Sequence, residues 1–383
     1  MAERSPLHGR SVVEVLATSA GGVGTHVRSL VPAVRAAGAT VRVCGAPATE
    51  ELFGFRAAGA DFVPVGISTG LAPLADSRAV LQLRRALAGA DLVHAHGLRA
   101  GLVAATARRL SGERSRPLVL TLHNAILEDA GPLQRVLRAA ERTTIRAADM
   151  VLAVSSDLAA NARKAGARDV RVVPAVAPPR PPATRTRAEV REELGLDEGR
   201  PLVLAVGRLH PQKGYDVLLD AVATWEADGR LSPAPLVAIA GDGPLEEELS
   251  ERIRAARLPV LLLGRREDVA DLLGAADLCV LPSRWEGSPF TAQEALRAGT
   301  PLVSTRAGGL PELLGSGADL VPVGDAWALA DAVVRVLADP AHAAGLAEAG
   351  RRQADNWPDE EAAARQLVAV YRELLGAPPA GSP

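Results

Sequence analysis

Lysine is nearly missing from this chain of 383 residues: of 43 basic residues, only Lys164 and Lys213 are lysines. Arginine stands wherever any cation will do, so a retained lysine marks a place where a compact point charge is wanted. Chance retention is the alternative for either one. Cysteine is as sparse, with Cys44 and Cys279 alone. Each lies in an apolar, strand-like run, which suggests neither a disulfide framework nor a zinc site; both read as buried free thiols. No uninterrupted apolar run approaches the roughly 20 residues that span a bilayer. The opening MAERSPLHGR has no apolar block of signal-peptide length, so the expectation is a cytoplasmic chain.

The length exceeds the roughly 250–300 residues at which single cores stop growing, so two domains are expected. Net charge is −2, yet residues 1–178 hold 22 basic and 14 acidic residues and the remainder 21 and 31. A basic first half suits acidic partners such as phosphates, an anionic membrane or an acidic acceptor; a solvated surface with compositional bias is the alternative.

Short apolar runs alternate with helical stretches throughout. In the first half strands are expected at 11–17, 40–44, 61–65, 91–95, 118–122, 150–154 and 170–173, with a helix at 25–37 stopped by Gly38. Runs that are apolar throughout suit a parallel sheet covered on both faces. Residues 174–187 carry five prolines among fourteen residues, which excludes regular structure and implies a stiff connection. The second half repeats the pattern, with strands at 202–206, 236–240, 260–263, 278–281, 302–304 and 319–321. The fold class is therefore α/β, as two Rossmann-like, doubly wound domains facing across a cleft. Their expected extents are 1–178 and 188–356, joined by a linker at 179–187. A last helix at 357–375 and a disordered tail at 376–383 follow.

Ligands of such folds sit beyond the carboxyl ends of the strands. In the second half, PLVLAV runs into GRLHPQKGYDV, placing Arg208 and Lys213 in the loop before a helix. Two cations beside a helix N-terminus make a diphosphate site, with no metal needed for the leaving group; a solvated basic loop is the alternative. In PSRWEGSPFTAQEALRAG, Glu286 ends a strand-to-helix loop, Ser288 is read as the N-cap and Pro289 as the first helical residue. The amides of Phe290 and Thr291 are then free to face phosphate or sugar hydroxyls. Glu294, farther into the helix, suits a ribose diol and Glu286 the sugar; two surface glutamates are the plain alternative. Gly308–Gly309 permits close backbone approach to a ligand or makes a tight turn, and Asp242–Gly243 is read as a helix start.

In the first half Gly21, Gly22 and Gly24 follow the first strand, but GGVG is not G-x-G-x-x-G and is a weak fingerprint. Of seven histidines, His26, His94, His96, His123 and His210 fall at expected strand ends or loops. His94 or His96 can equally be a satisfied core histidine. Metal binding is not expected, since no carboxylate lies at ligand spacing nearby.

GRLHPQKG, followed about 70 residues later by E-x7-E (Glu286 to Glu294), with a GG pair and a strand-end histidine upstream, resembles family 4 of the glycosyltransferases. These are retaining enzymes of the GT-B fold, and the likeness covers nearly the whole chain. The resemblance implies that Arg208 and Lys213 bind the diphosphate of a UDP- or GDP-sugar and Glu294 its ribose. It places Glu286 and His123 at the donor sugar, Gly21–Gly22 near the diphosphate or acceptor, the backbone of Ser288, Pro289, Phe290 and Thr291 on the donor, and Arg265 or Arg266 by the base. The last helix is implied to cross back to the first domain, with Trp357–Pro358 as its turning point. The Asn-Gly pair common in the family is replaced by Ala175 and Val176. Retention of configuration, transfer of a hexosyl group and the absence of a metal or other cofactor follow from the likeness. A cell-envelope glycolipid or glycan precursor is the acceptor class it suggests, and no nucleic-acid partner is expected.

Arg135, Arg138, Arg142 and Arg146 recur at helical spacing within 131–147. The stripe suits anionic lipid at the inner membrane face or an acceptor phosphate, or is a solvated face. Two other functions stay open: a nucleotide-sugar epimerase on the same fold, and a non-catalytic two-domain sugar-binding protein.

Overall fold

The computed structural model describes residues 5–19, 21–68, 73–113, 115–125, 132–197 and 199–376. Two compact units form: Met1–Pro178 with Pro358–Pro383, and Pro179–Trp357.

Among the described residues the first unit holds seven parallel strands: β1 (Ser11–Leu16), β2 (Thr40–Gly45), β3 (Asp61–Pro64), β4 (Leu92–His96), β5 (Leu118–Leu122), β6 (Met150–Ala153) and β7 (Val170–Val172). Their order is β3-β2-β1-β4-β5-β6-β7. The second unit holds six: β8 (Leu202–Val206), β9 (Leu236–Ala240), β10 (Val260–Leu262), β11 (Leu278–Leu281), β12 (Leu302–Thr305) and β13 (Asp319–Val321). Their order is β10-β9-β8-β11-β12-β13, again all parallel. Strand order reverses between β1 and β4 and between β8 and β11. Loops leaving neighbouring strands at such a point diverge to opposite faces and open a crevice at the carboxyl ends.

Helices cover both faces because the central strands are apolar on both sides. In the second unit Trp225, Leu218, Val222 and Val333 pack one face and Leu272, Leu296, Leu310 and Leu314 the other. In the first, the last helix, Glu360–Leu374, contributes Leu367, Val370 and Tyr371 to the core that also holds Leu30, Val34 and Phe55. Cys44 and Cys279 are buried and free, and burial pushes both thiols up to about 12.

Two local readings change. The first helix begins at Gly22, at the glycines themselves. The proline-rich segment is tied to the second unit: Asp271 accepts from the Thr184 amide at 2.6 Å and the Arg185 amide at 3.1 Å. Thr186 and Glu189 then form a capping box that starts helix Arg187–Glu193. Reciprocal satisfaction of two amides ends the extended run one residue before the expected linker does.

Candidate functional site

In the second unit the loops after β8 and β11 are knitted together. Gln212 Nε2 donates to the Trp285 carbonyl at 2.9 Å, and the Arg284 amide to the Gln212 carbonyl at 2.8 Å. The Arg284 guanidinium grips both oxygens of Asp216, at 2.8 and 2.6 Å. Those charge-assisted bonds hold the Asp216 carboxyl below its usual range. Gly214 (φ +67°) is required where the chain turns: a Cβ there would stand 2.1 Å from the Pro282 carbonyl oxygen.

The knitting brings Lys213 to Glu286. Its Nζ lies 2.6 Å from Glu286 Oε1, and Ser283 Oγ donates to the same oxygen at 2.6 Å. Glu286 is 5% exposed. A carboxylate so buried is tolerable only with such partners. Arg208, in the same loop, is exposed and makes no side-chain bond among the described residues. His210 beside it is held below its ordinary value by partial burial and then by Arg208 and Lys213.

The glycine pair turns out to serve Glu286. The Gly309 amide donates to the Glu286 carbonyl at 2.8 Å. Gly308 has φ +55°, and a Cβ on it would meet that carbonyl oxygen at 2.2 Å. The close backbone approach is to the protein's own chain. Asp242–Gly243 is likewise a loop: the next helix starts at Glu246, and the Asp242 carbonyl accepts from the Leu209 amide at 2.8 Å.

The N-cap is corrected by one residue. Pro289 caps helix Phe290–Ala298, with no side-chain bond to the first amides, while Ser288 Oγ accepts from Gln293 Nε2 at 3.0 Å. Pro289 is in an extended conformation, so the helix cannot include it. Helix geometry leaves the amides of Phe290 and Thr291 without helical acceptors. Thr291 Oγ1 donates to the Val206 carbonyl at 3.3 Å, tying this end to β8. Glu294 pairs through Oε1 with Arg180 Nε at 2.8 Å, whereas its buried Oε2 has no hydrogen-bond partner among the described residues. Arg265 is exposed; Arg266 is committed to Asp268 and Glu193.

In the first unit a buried polar chain crosses three strands. The parallel register sets Glu14 of β1 against His94 of β4. Glu14 Oε2 lies 2.8 Å from His96 Nε2 and 3.1 Å from His94 Nδ1, and Oε1 accepts from Tyr371 Oη at 2.8 Å. His94 also meets Tyr371 Oη and Thr121 Oγ1, both at 2.6 Å. His96 Nδ1 lies 3.2 Å from His123 Nε2, and the His26 ring stands edge-on to His96 and His123. Burial lowers His26 to about 3 and His96 to about 4, and carries His123 well below its ordinary value. Burial alone would raise Glu14, but the adjacent His94 and His96 more than offset it and bring it below the usual carboxylate range.

This corrects the ground on which metal binding was set aside. A carboxylate does stand at the histidines: pairing of β1 with β4 supplies it from 80 residues upstream in the chain. Ligand atoms of His26, His96 and His123 lie within 4.8 Å of one another, as do those of Glu14, His94 and His96. Neutral imidazoles with a carboxylate behind one of them are donors suited to a divalent transition metal. The signal available in sequence was the lone acid inside the apolar run SVVEVL.

Gly21 precedes the first turn of helix Gly22–Ala36 and Gly22 opens it. Gly24 answers a packing demand, since a Cβ there would strike the Phe53 ring at 2.1 Å. Helix Pro132–Ala147 exposes Arg135, Arg138, Arg142 and Arg146, and Arg146 Nε also donates to the Ala165 carbonyl at 3.0 Å. No helix among the described residues is long and apolar enough to cross a membrane.

Residues 186–353 match the family model for glycosyl transferases group 1, and residues 21–176 that for the glycosyl transferase 4-like domain. The chain is 31% identical over 392 residues to alpha-maltose-1-phosphate synthase of Mycolicibacterium smegmatis, a match covering 92% of this chain and 96% of that protein. It is 34% identical over 205 residues to the lipopolysaccharide core biosynthesis mannosyltransferase LpsB of Rhizobium meliloti. That match covers 51% of this chain and 57% of LpsB, so the chain spans little more than half the length of that curated relative. Among solved structures, HepE of Anabaena in complex with UDP-glucose superposes with a TM-score of 0.78 at 22% identity, covering 95% of this chain and 99% of that one.

Proposed function

Because this chain belongs to the group 1 glycosyl transferases and has their GT-B fold, we propose that it is a hexosyltransferase using a nucleotide diphosphate-sugar and retaining the configuration of the transferred sugar. The observation that carries the reading is the Lys213–Glu286 pair at 2.6 Å beside Arg208, whose side chain has no partner among the described residues, at the carboxyl ends of adjacent strands β8 and β11.

Lys213 and Arg208 neutralise the departing diphosphate, aided by the free amides of Phe290 and Thr291. Two cations, Lys213 held by Glu286 and Arg208 on the exposed loop, supply the leaving-group charge, so the transfer is proposed to need no metal ion. Glu294 takes the ribose diol through its unpartnered Oε2, with Arg265 toward the base. Glu286 and His123 face the sugar, and Gly21–Gly22 lets a ligand approach the backbone. The acceptor hydroxyl loses its proton to the leaving phosphate on the same face, which retains configuration without a covalent nucleophile. The relatives support sugar transfer and a nucleotide-sugar donor: LpsB is a mannosyltransferase by name, and HepE was solved in complex with UDP-glucose. A UDP- or GDP-sugar, a glycan or lipid-linked acceptor, and a cytoplasmic site at an anionic membrane face complete the reading.

A thermal-shift panel of nucleotide sugars tests it. A ligand at about 100 times its Kd stabilises by roughly 2.7 kcal/mol, which shifts the unfolding temperature measurably. The transferase reading further requires nucleoside diphosphate release that depends on an added acceptor. No shift with any nucleotide sugar, or release independent of acceptor, rejects it.

A further inference from the structure

The buried polar chain of the first unit determines which atom carries each of its protons, although the His94 Nδ1 proton faces Glu14 Oε2 at 3.1 Å as well as Tyr371 Oη at 2.6 Å. The Glu14 carboxylate only accepts. Tyr371 Oη therefore donates to Oε1 and His96 Nε2 to Oε2, each at 2.8 Å. A neutral imidazole carries a single N–H, so His96 Nδ1 is an acceptor, and His123 Nε2, 3.2 Å away, must donate to it. His123 Nδ1 then holds a lone pair and has no hydrogen-bond partner among the described residues. On the other branch Tyr371 Oη, its proton spent, accepts from His94 Nδ1, and His94 Nε2 accepts from Thr121 Oγ1. No two like roles face each other. His94 and His96 are 0% and 2% exposed, so water does not compete for these bonds.

The sheet itself needs no carboxylate at this position. An apolar residue would fill β1 without the cost of burying a charge. What Glu14 does supply is a fixed end from which the state of His123, two bonds away, is determined.

We propose that Glu14 is a positioning residue for His123: through His96 it holds the His123 ring with Nε2–H directed inward, so that Nδ1 is presented as an acceptor for a sugar hydroxyl. The assignment of that hydroxyl to the donor sugar rests on the function proposed above. An acceptor nitrogen there favours a neutral hydroxyl and disfavours a carboxylate oxygen, which brings no proton to share. Unsubstituted hexoses are thereby preferred to uronic acids at that position.

Long-range proton–nitrogen correlation spectra of the ligand-free full chain read the tautomers directly. The expected pattern is His94 protonated on Nδ1, and His96 and His123 on Nε2. In Glu14→Leu the anchor is lost, His123 populates both tautomers, and kcat falls by about tenfold or more, as for other residues that orient a functional imidazole, with the donor KM changed far less. His123 protonated on Nδ1 in the parent protein overturns the proposal. So does a folded Glu14→Leu whose His123 tautomer is unchanged, whatever its kcat. Should that variant not fold, the parent spectrum alone decides. The spectra need no turnover: the expected tautomers with no transfer activity would reject the transferase reading and leave the positioning role standing.

Discussion

Replacing Lys213 by alanine separates two things that one side chain does. The ammonium lies 2.6 Å from Glu286 Oε1, with the lysine side chain 21% exposed and the glutamate 7%. At an effective dielectric near 20, unit charges at 2.6 Å attract by roughly 6 kcal/mol. Desolvation of both groups offsets much of this. The variant measures the cost of leaving the Glu286 carboxylate with Ser283 as its one remaining hydrogen-bond partner among the described residues. Breaking a buried pair costs about 3–5 kcal/mol, and the partial solvation of Lys213 puts the value near the lower end, about 3 kcal/mol. Turnover should fall independently by about 10²–10³-fold, the effect of removing one preorganised group that meets charge as it develops. Urea denaturation reads the first effect and steady-state release of nucleoside diphosphate the second. The double variant Lys213→Met, Glu286→Gln removes both charges; it should regain most of the lost stability while remaining slow. The reasoning fails if Lys213→Ala turns over within about fivefold of the parent. It also fails if trimethylamine oxide, which strengthens folding without replacing a charge, restores turnover along with the urea midpoint.

Glu294→Gln should weaken nucleotide binding by about 10- to 100-fold, the worth of hydrogen bonds to a charged acceptor, as read by calorimetry with a nucleoside diphosphate; unchanged affinity would remove Glu294 from the ribose. Stability of the first unit should fall on acidification from about pH 6.5 toward pH 4. His26 and His96 are held to about 3 and 4 when folded, so across that window the unfolded chain binds protons that the folded chain does not. Glu14, His94, His123 and Tyr371 surround them, and a urea midpoint that stays flat from pH 7 to about pH 5 would contradict this assignment. Gly308→Ala should cost more than about 2 kcal/mol, because left-handed backbone and a backbone clash act together; calorimetry reads it, and a neutral effect would mean the Glu286 loop can move. Arg135→Glu, Arg138→Glu and Arg142→Glu together should reduce sedimentation with vesicles rich in anionic lipid, each charge contributing about 1 kcal/mol near such a surface; unchanged binding would make the stripe a solvated face.

Much of this architecture is written in one-dimensional pattern. The thirteen strands among the described residues fall within a residue or two of the apolar runs that announce them, because a central strand of a two-sided parallel sheet must be apolar on both faces whatever surrounds it. The Arg208–Lys213 loop and the Glu286–Glu294 spacing were legible for a similar reason: the residues of each are close in the chain and follow a strand end. Pairings across the fold were not legible. That Lys213 touches Glu286, that Arg180 holds Glu294, and that Gly308 turns against the chain's own carbonyl depend on which strands become neighbours. Glu14 shows the distinction most sharply. As a letter in SVVEVL it is an anomaly, an acid where the sheet asks for an apolar residue. Only the register of β1 on β4, and the return of Tyr371 on the last helix, give it the histidines and the hydroxyl that make a buried charge bearable. Local pattern determines which segments become strands and helices, since propensity and periodicity act over a few residues. Long-range pairing determines which polar atoms meet, and the low dielectric of the interior then decides which of those meetings must be satisfied.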